Sequence, residues 1–373
     1  MITAITIKNF KALENFHVQE LPRIVCLIGL NGAGKSSFLQ ALDFVSSSFS
    51  GSDHFRDWKG ADILNAKTKK KFPVEFSFEL RLADGKTVTW SGIFSVNEWR
   101  FARESVTDGS GAELLAYNGK TLTLGNSQTA IDVSDSAHKG SVFSTRKFDA
   151  YPELREIKET IAGLKSLELL SPEELRRGSR TVSEISLGGS GLPGYVRSLE
   201  RQGHGPELVA MLQQFYPHLQ AIVEKKPGPG WFGFAVKELY ETECSTGMKH
   251  VNDGFLRILA IVSQKFSGKR TLLLDEVENG INQELVERLV ELLVTDFADK
   301  QIFITTHSSL LLNYFNDELV RDGLVFLYRT KAGGVEGRKF FGLPGMSEKL
   351  SYLNAGQVMA DTDLVKLSRQ LSE

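Results

Sequence analysis

A chain of 373 residues with 41% hydrophobic composition is long enough to bury a sizeable core, as one large or two to three modest domains. Forty-four Lys plus Arg against 46 Asp plus Glu leave a formal net charge of −2, which excludes a general field toward nucleic acid or acidic membrane; any DNA contact must come from a local patch. No run approaches the roughly 18 apolar residues of a membrane span, no signal pattern opens the chain, and Cys26 and Cys244 match no metal or redox spacing, so a soluble, cytoplasmic protein without membrane insertion is expected.

In chain order, the alternation at Ile5 and Ile7 and the apolar run from Ile24 to Ile28 read as strands, the second buried on both faces as in a parallel sheet. A glycine loop follows, then a helix with Phe38, Leu39, Leu42 and Val45 on one face. Residues 72 to 82 alternate as a half-exposed antiparallel strand. From 86 to 150, short strand-like pieces broken by Gly, Ser, Asp and Asn predict a small β-rich region. Residues 152 to 180 and 193 to 222 carry helical patterns, and KPGPGWFG returns the chain to strand before 240. Beyond that, a helix around 255 to 266, the strand TLLLDE, a helix, the strand QIFITTH, a helix to about 316 and the strands LVFLYR and VEGRKF follow one another. The expected fold class is α/β: a P-loop NTPase head made of 1–85 and 241–373, interrupted by an insertion over 86–240 that is β-rich and then helical.

Gly29-Leu30-Asn31-Gly32-Ala33-Gly34-Lys35-Ser36 fits the eight-position phosphate loop, with strand before and helix after. Glycines let backbone N–H groups of Asn31, Gly32, Ala33 and Gly34 converge on phosphate oxygens, and the helix start adds partial positive charge. Lys35 is expected to reach the β and γ phosphates, Ser36 to bind Mg2+, and Ser37 to approach the α phosphate. The strand TLLLDE ends in Asp275, a second magnesium ligand, and Glu276, placed as general base for the attacking water. A bare Asp-Glu pair also caps strands and solvates turns. His307 ends the next strand, where it reads as a γ-phosphate sensor, although a lone His there is commonly structural.

Asn252-Asp253-Gly254 opens an apolar helix about twenty residues before the acidic strand; alone, it is equally an ordinary helix N-cap. In this setting the order resembles ABC-type ATPases of the RecF and SMC groups, and most nearly compact ATPases related to RecF and the overcoming-lysogenization-defect (OLD) family. ITIKNFKALENF resembles their opening, DEVENGIN their acidic segment, and Asn252-Asp253-Gly254 with Arg257 their Ser-Asp-Gly signature. The resemblance covers roughly 1 to 80 and 240 to 373, and loosely the stretch SLGGSGLPGYVRSLERQG. It implies ATP and Mg2+ as cofactors, and a head-to-tail homodimer in which each signature closes on ATP bound by the other copy. The departures are Asn252 for Ser, Val277 for a common Pro, and Asn282 where this family often has His and transporters Asp; the glutamine that usually links magnesium to the insertion is unassigned.

Two basic runs, Lys67, Lys69, Lys70, Lys71 and Arg176, Arg177, Arg180, are either solvated surface or a DNA patch. Asp361 and Asp363 resemble a nuclease pair, but the whole metal-binding domain of OLD nucleases would have to follow, so no nuclease activity is expected. The leading expectation is an ATPase that acts on DNA or on a separately encoded effector such as a nuclease or toxin, in defence against phage. Its alternatives are a transporter's nucleotide-binding subunit and an ATP-binding scaffold that barely hydrolyses.

Overall fold

The computed structural model describes residues 1–65, 72–125, 131–133, 138–168 and 170–372. In chain order the strands are β1 (Ile2–Phe10), β2 (Leu13–Val18), β3 (Ile24–Ile28), β4 (Val74–Arg81), β5 (Thr87–Ser95), β6 (Arg100–Asp108), β7 (Glu113–Tyr117), β8 (Thr121–Leu124) and β9 (Ile131–Asp132). They continue with β10 (Leu164–Leu167), β11 (Leu219–Gly228), β12 (Trp231–Leu239), β13 (Glu243–Gly247), β14 (Thr271–Leu274), β15 (Gln301–Thr305), β16 (Leu324–Arg329) and β17 (Val335–Lys339).

The central sheet runs β10-β14-β15-β3-β16-β17, with parallel pairing as far as β16 and an antiparallel β17. Both faces are covered, as the continuous apolar runs require. Ile24, Cys26 and Ile28 of β3 enter one core while Val25 and Leu27 enter the other, and β14, β15 and β16 divide their residues the same way. The helix Lys35–Ser50 packs on one face, with Phe38 against Phe303 of β15; the helices Asp253–Val262 and Gln283–Thr295 cover the opposite one.

The second sheet, β2-β1-β4-β5-β6-β7-β8-β9, is antiparallel and lies beyond the helix Lys35–Ser50, sharing that helix's core. The β-rich stretch after residue 86 is therefore not a separate unit: β5 pairs with β4 over eight registered positions and extends the N-terminal sheet. The alternation Val74, Phe76, Phe78, Leu80 supplies its buried face. Gln301 ties the two layers together, accepting from Ile2 N at 2.9 Å and donating to the Ile2 carbonyl at 2.7 Å.

Two helical expectations are corrected. After the helix Pro152–Ala162 the chain enters β10, whose four buried residues pair in parallel with β14; pairing with a buried partner overrides the helical pattern there. The stretch 193–222 divides into the helices Leu192–Arg201 and Gly205–Gln213, separated by Gly203 at φ 88°, and ends in β11 of a small β11-β12-β13 sheet. No helix among the described residues is long and apolar enough to cross a membrane.

Glu104, buried in β6, accepts from Trp90 Nε1 (3.1 Å), Ser141 Oγ (2.6 Å) and Val142 N (2.6 Å), and so anchors the chain that returns past the sheet. Burial pushes its carboxyl up to about 7 against those donors. Glu104→Ala strands three buried donors and is expected to lower stability by about 3 kcal/mol in chemical denaturation. Because the folded-state value lies above the unfolded one, the glutamate's contribution is full below about pH 4.5 and declines as pH rises through about 7. The gap between wild type and variant should therefore narrow from about pH 5 to pH 8.

Candidate nucleotide site

Parallel strands release their loops at a common edge, and the registers of β14 on β15 and of β15 on β3 align three of them. From β3 comes the phosphate loop, from β14 the pair Asp275-Glu276, and from β15 Thr306-His307. The loop is folded for anion binding. Gly29 lies at φ 151° with its α-carbon against the Leu327 carbonyl, where a Cβ would come within 2.4 Å; Gly34, at φ 99°, caps the helix Lys35–Ser50 under Val335. Asn31 and Gly32 are exposed, Ala33 is buried, and Arg329 Nε secures the loop by donating to the Gly32 carbonyl at 2.7 Å.

Lys35 is largely buried and folds over the loop, with Nζ donating to the Gly29 carbonyl (3.0 Å) and the Leu30 carbonyl (3.4 Å). Burial lowers its pKa, opposed by Asp275, Glu276 and Glu278. Its ammonium is thus held by weak neutral acceptors that a phosphate oxygen outcompetes. Ser37 is half-buried beside the exposed Ser36, whose Oγ donates to Asp275 Oδ2 at 3.3 Å. A hydroxyl and a carboxylate at that spacing are hard oxygen donors that fit Mg2+.

Thr305 positions both acids: its Oγ1 donates to Asp275 Oδ1 (2.5 Å) and accepts from Glu276 N (2.9 Å). Glu276 sits at φ 46°, a left-handed conformation that side chains rarely adopt and that concentrates at functional sites. Its carboxylate lies 3.8 Å from His307 Nε2 and 3.5 Å from Asn279 Nδ2. Glu278 accepts from Thr306 Oγ1 (2.7 Å) and His307 N (3.1 Å), fixing the loop that carries the histidine.

Asn252 caps the helix Asp253–Val262, its Oδ1 accepting from Phe255 N at 2.7 Å, and the residue is exposed. Asp253 pairs with Arg176, whose guanidinium also donates to the Val251 carbonyl at 2.6 Å. The carbonyl of Gly280, in the loop after the acidic pair, lies 3.2 Å from where a Gly254 Cβ would stand. Among the described residues no hydrogen bond or ion pair joins 252–254 to the phosphate loop 29–37.

Several participants escaped the sequence reading. Thr305 closes β15 and Glu278 lies in the loop after β14, and no motif in the sequence marks either. Glu168 follows β10 directly and so stands beside Asp275, whose N donates to the Leu167 carbonyl at 3.1 Å. Gln40 Nε2 donates to Glu168 Oε2 at 3.2 Å, and burial, reinforced by Asp43 and Asp275, pushes the Glu168 carboxyl up to about 7. Arg176 is engaged by Asp253 and the Val251 carbonyl rather than standing free in a basic patch, and Arg177 faces Glu174 at 3.8 Å. Lys67, Lys69, Lys70 and Lys71 lie outside the described residues. Asn282 begins the helix Gln283–Thr295, and Val277 is buried. Asp361 pairs with Lys349 at 2.5 Å, while Asp363 Oδ1 accepts from Val365 N and Lys366 N, so both serve local helices.

Thr305→Val removes the bridge beneath both acids without emptying the core. It is expected to slow phosphate release about tenfold while shifting ATP affinity less than about threefold, as read by steady-state turnover and equilibrium nucleotide binding.

Among solved structures, the chain is similar to an Smc head bound to the C-winged helix domain of ScpA, at 13% identity and a TM-score of 0.53 over 93% of this chain and 99% of that one. It is also similar to an Smc head with an extended coiled coil bound to the C-terminal domain of ScpA derived from Pyrococcus furiosus, at 12% identity and a TM-score of 0.50 over 94% and 99%. At such identities the likeness is one of fold, that of an ABC-type ATPase head. No curated protein matches the sequence. The description of the RecF/RecN/SMC N-terminal domain matches residues 1–322, most of the chain, and the protein belongs to that family of ABC-type P-loop ATPases.

Proposed function

We propose that the chain binds ATP with Mg2+, that two copies close head to tail around two nucleotides, and that each composite site hydrolyses its ATP. The convergence of Ser36 with Asp275, beside Glu276 and His307 and beneath the phosphate loop, is the observation that carries this reading. Lys35 and the loop N–H groups bind the phosphates; Ser36 and Asp275 hold the metal. When bound, Mg2+ neutralises charge on the β and γ phosphate oxygens. Glu276 orients the attacking water and takes its proton, and His307, whose Nε2 lies 3.8 Å from the Glu276 carboxylate, donates to the γ phosphate.

The signature belongs to the other copy's site. Asn252, Asp253 and Gly254 head a helix, carry exposed or half-exposed positions and make no bond to their own phosphate loop. Since Asn252 Oδ1 is engaged as the cap, its Nδ2 is the group left to donate to a γ-phosphate oxygen. Hydrolysis at such a site yields only ADP, phosphate and an opened dimer, so its output must act on something else. The similar Smc heads are bound to domains of ScpA, a separate protein, which supports a separate partner here. We take that partner to be an effector such as a nuclease or toxin, with DNA as the associated substrate and phage defence as the setting. The motifs ITIKNFKALENF and DEVENGIN favour the OLD-like branch for this role.

Mixing two defective variants tests the shared site. Lys35→Ala disables the phosphate loop, and Asn252→Asp keeps the cap oxygen while turning a negative charge toward phosphate. Each alone is expected to release phosphate at under about a tenth of the wild-type rate. An equimolar mixture places one intact loop against one intact signature in half of its dimers, and should recover about a quarter of wild-type activity. A mixture as inactive as its components contradicts the shared site.

A further inference from the structure

We propose that the cleft at the opposite, N-terminal edge of the central sheet is a second ligand site, and that it takes a nucleoside phosphate, free or as the end of a nucleic-acid strand. The cavity is about 770 Å3, within the size range of small-molecule sites. Arg23, Arg270 and Lys300 stand immediately before β3, β14 and β15, and Arg81, Lys265 and Lys269 complete the wall. Against these six cations the lining offers two carboxylates, Glu156 and Asp299, in a protein whose net charge is −2.

The cations are only partly compensated. Arg23 donates to the carbonyls of Leu293, Val294 and Phe297 at the end of a helix, and Lys300 to the Lys269 carbonyl; none of these acceptors carries a full charge. Lys300 also lies 3.8 Å from Asp299, which Lys265 shares at 3.3 Å. Arg270 faces Glu156 and Glu159, and Lys269 faces Glu184 at 3.6 Å. Arg81 forms no side-chain hydrogen bond or ion pair with another described residue. An aromatic pair completes the lining: His204 stacks on Phe266 with centroids 4.7 Å apart and planes at 26°.

Phosphate answers the cations, and a flat base answers the aromatic pair, the combination by which proteins hold nucleotides and single strands. A duplex does not fit a concavity of this size. Strands of four or five residues separate the cleft from the phosphate loop by roughly 15 Å, so the two sites do not overlap.

Lys35→Ala silences the phosphate loop and leaves the cleft to be measured. The probes are AMP, by calorimetry, and a 3′-labelled tetrathymidylate with or without a 5′-phosphate, by fluorescence anisotropy. Binding of at least one phosphorylated probe is expected in that background, weakened at least about tenfold by adding Arg81→Glu with Lys269→Glu, and unchanged by Lys366→Glu outside the cleft. AMP binding alone assigns the free nucleotide; binding of the phosphorylated oligomer alone assigns the strand end. If the paired reversal does not fold, Arg81→Glu alone supplies the comparison, its side chain having no partner among the described residues to lose. No binding of any phosphorylated probe, or binding indifferent to the charge reversal, overturns the proposal.

Discussion

Parallel pairing of β3 with β15, and of β15 with β14, is the constraint on which the site depends. These strands share a register, so the groups leaving their C-terminal ends converge although they come from residues 29, 275 and 307. Apolar burial on both faces enforces that register: slipping any strand by one residue would move every side chain to the other core. The convergence of these loops is thus a consequence of packing, and the polar residues at the edge only refine it.

Refinement is concentrated in small supports. Thr305 makes one hydroxyl serve two acids, and Glu278 does the same for Thr306 and His307. The left-handed Glu276 is tolerated because Thr305 and the following turn hold its backbone. On the far side of the sheet, Arg176 ties the segment after β10 to the signature, while β10 itself borders Asp275.

Much of the site was legible because its signals are local. An apolar strand, a glycine loop and a helix occupy one contiguous stretch, and Asp275, Glu276 and His307 each end an apolar run. What escaped depends on distant partners. Leu164–Leu167 is too short to show a period, and only β14 makes it a strand; Glu168 gains its place beside Asp275 from that pairing. The eight-stranded sheet was divided at residue 85 because Gly and Asp in the turn mark a break in sequence, while β4 and β5 continue across it in space. Arg176 read as one charge in a basic run because its acceptors, Val251 and Asp253, lie more than seventy residues away.

The central claim is that ATP joins two copies. Its most direct test is the mass of the protein in solution, with and without ATP and Mg2+, for wild type and Glu276→Gln. The account predicts a doubling of mass that requires nucleotide and persists in Glu276→Gln, where the water is no longer activated. A protein that remains monomeric with ATP in both forms contradicts it.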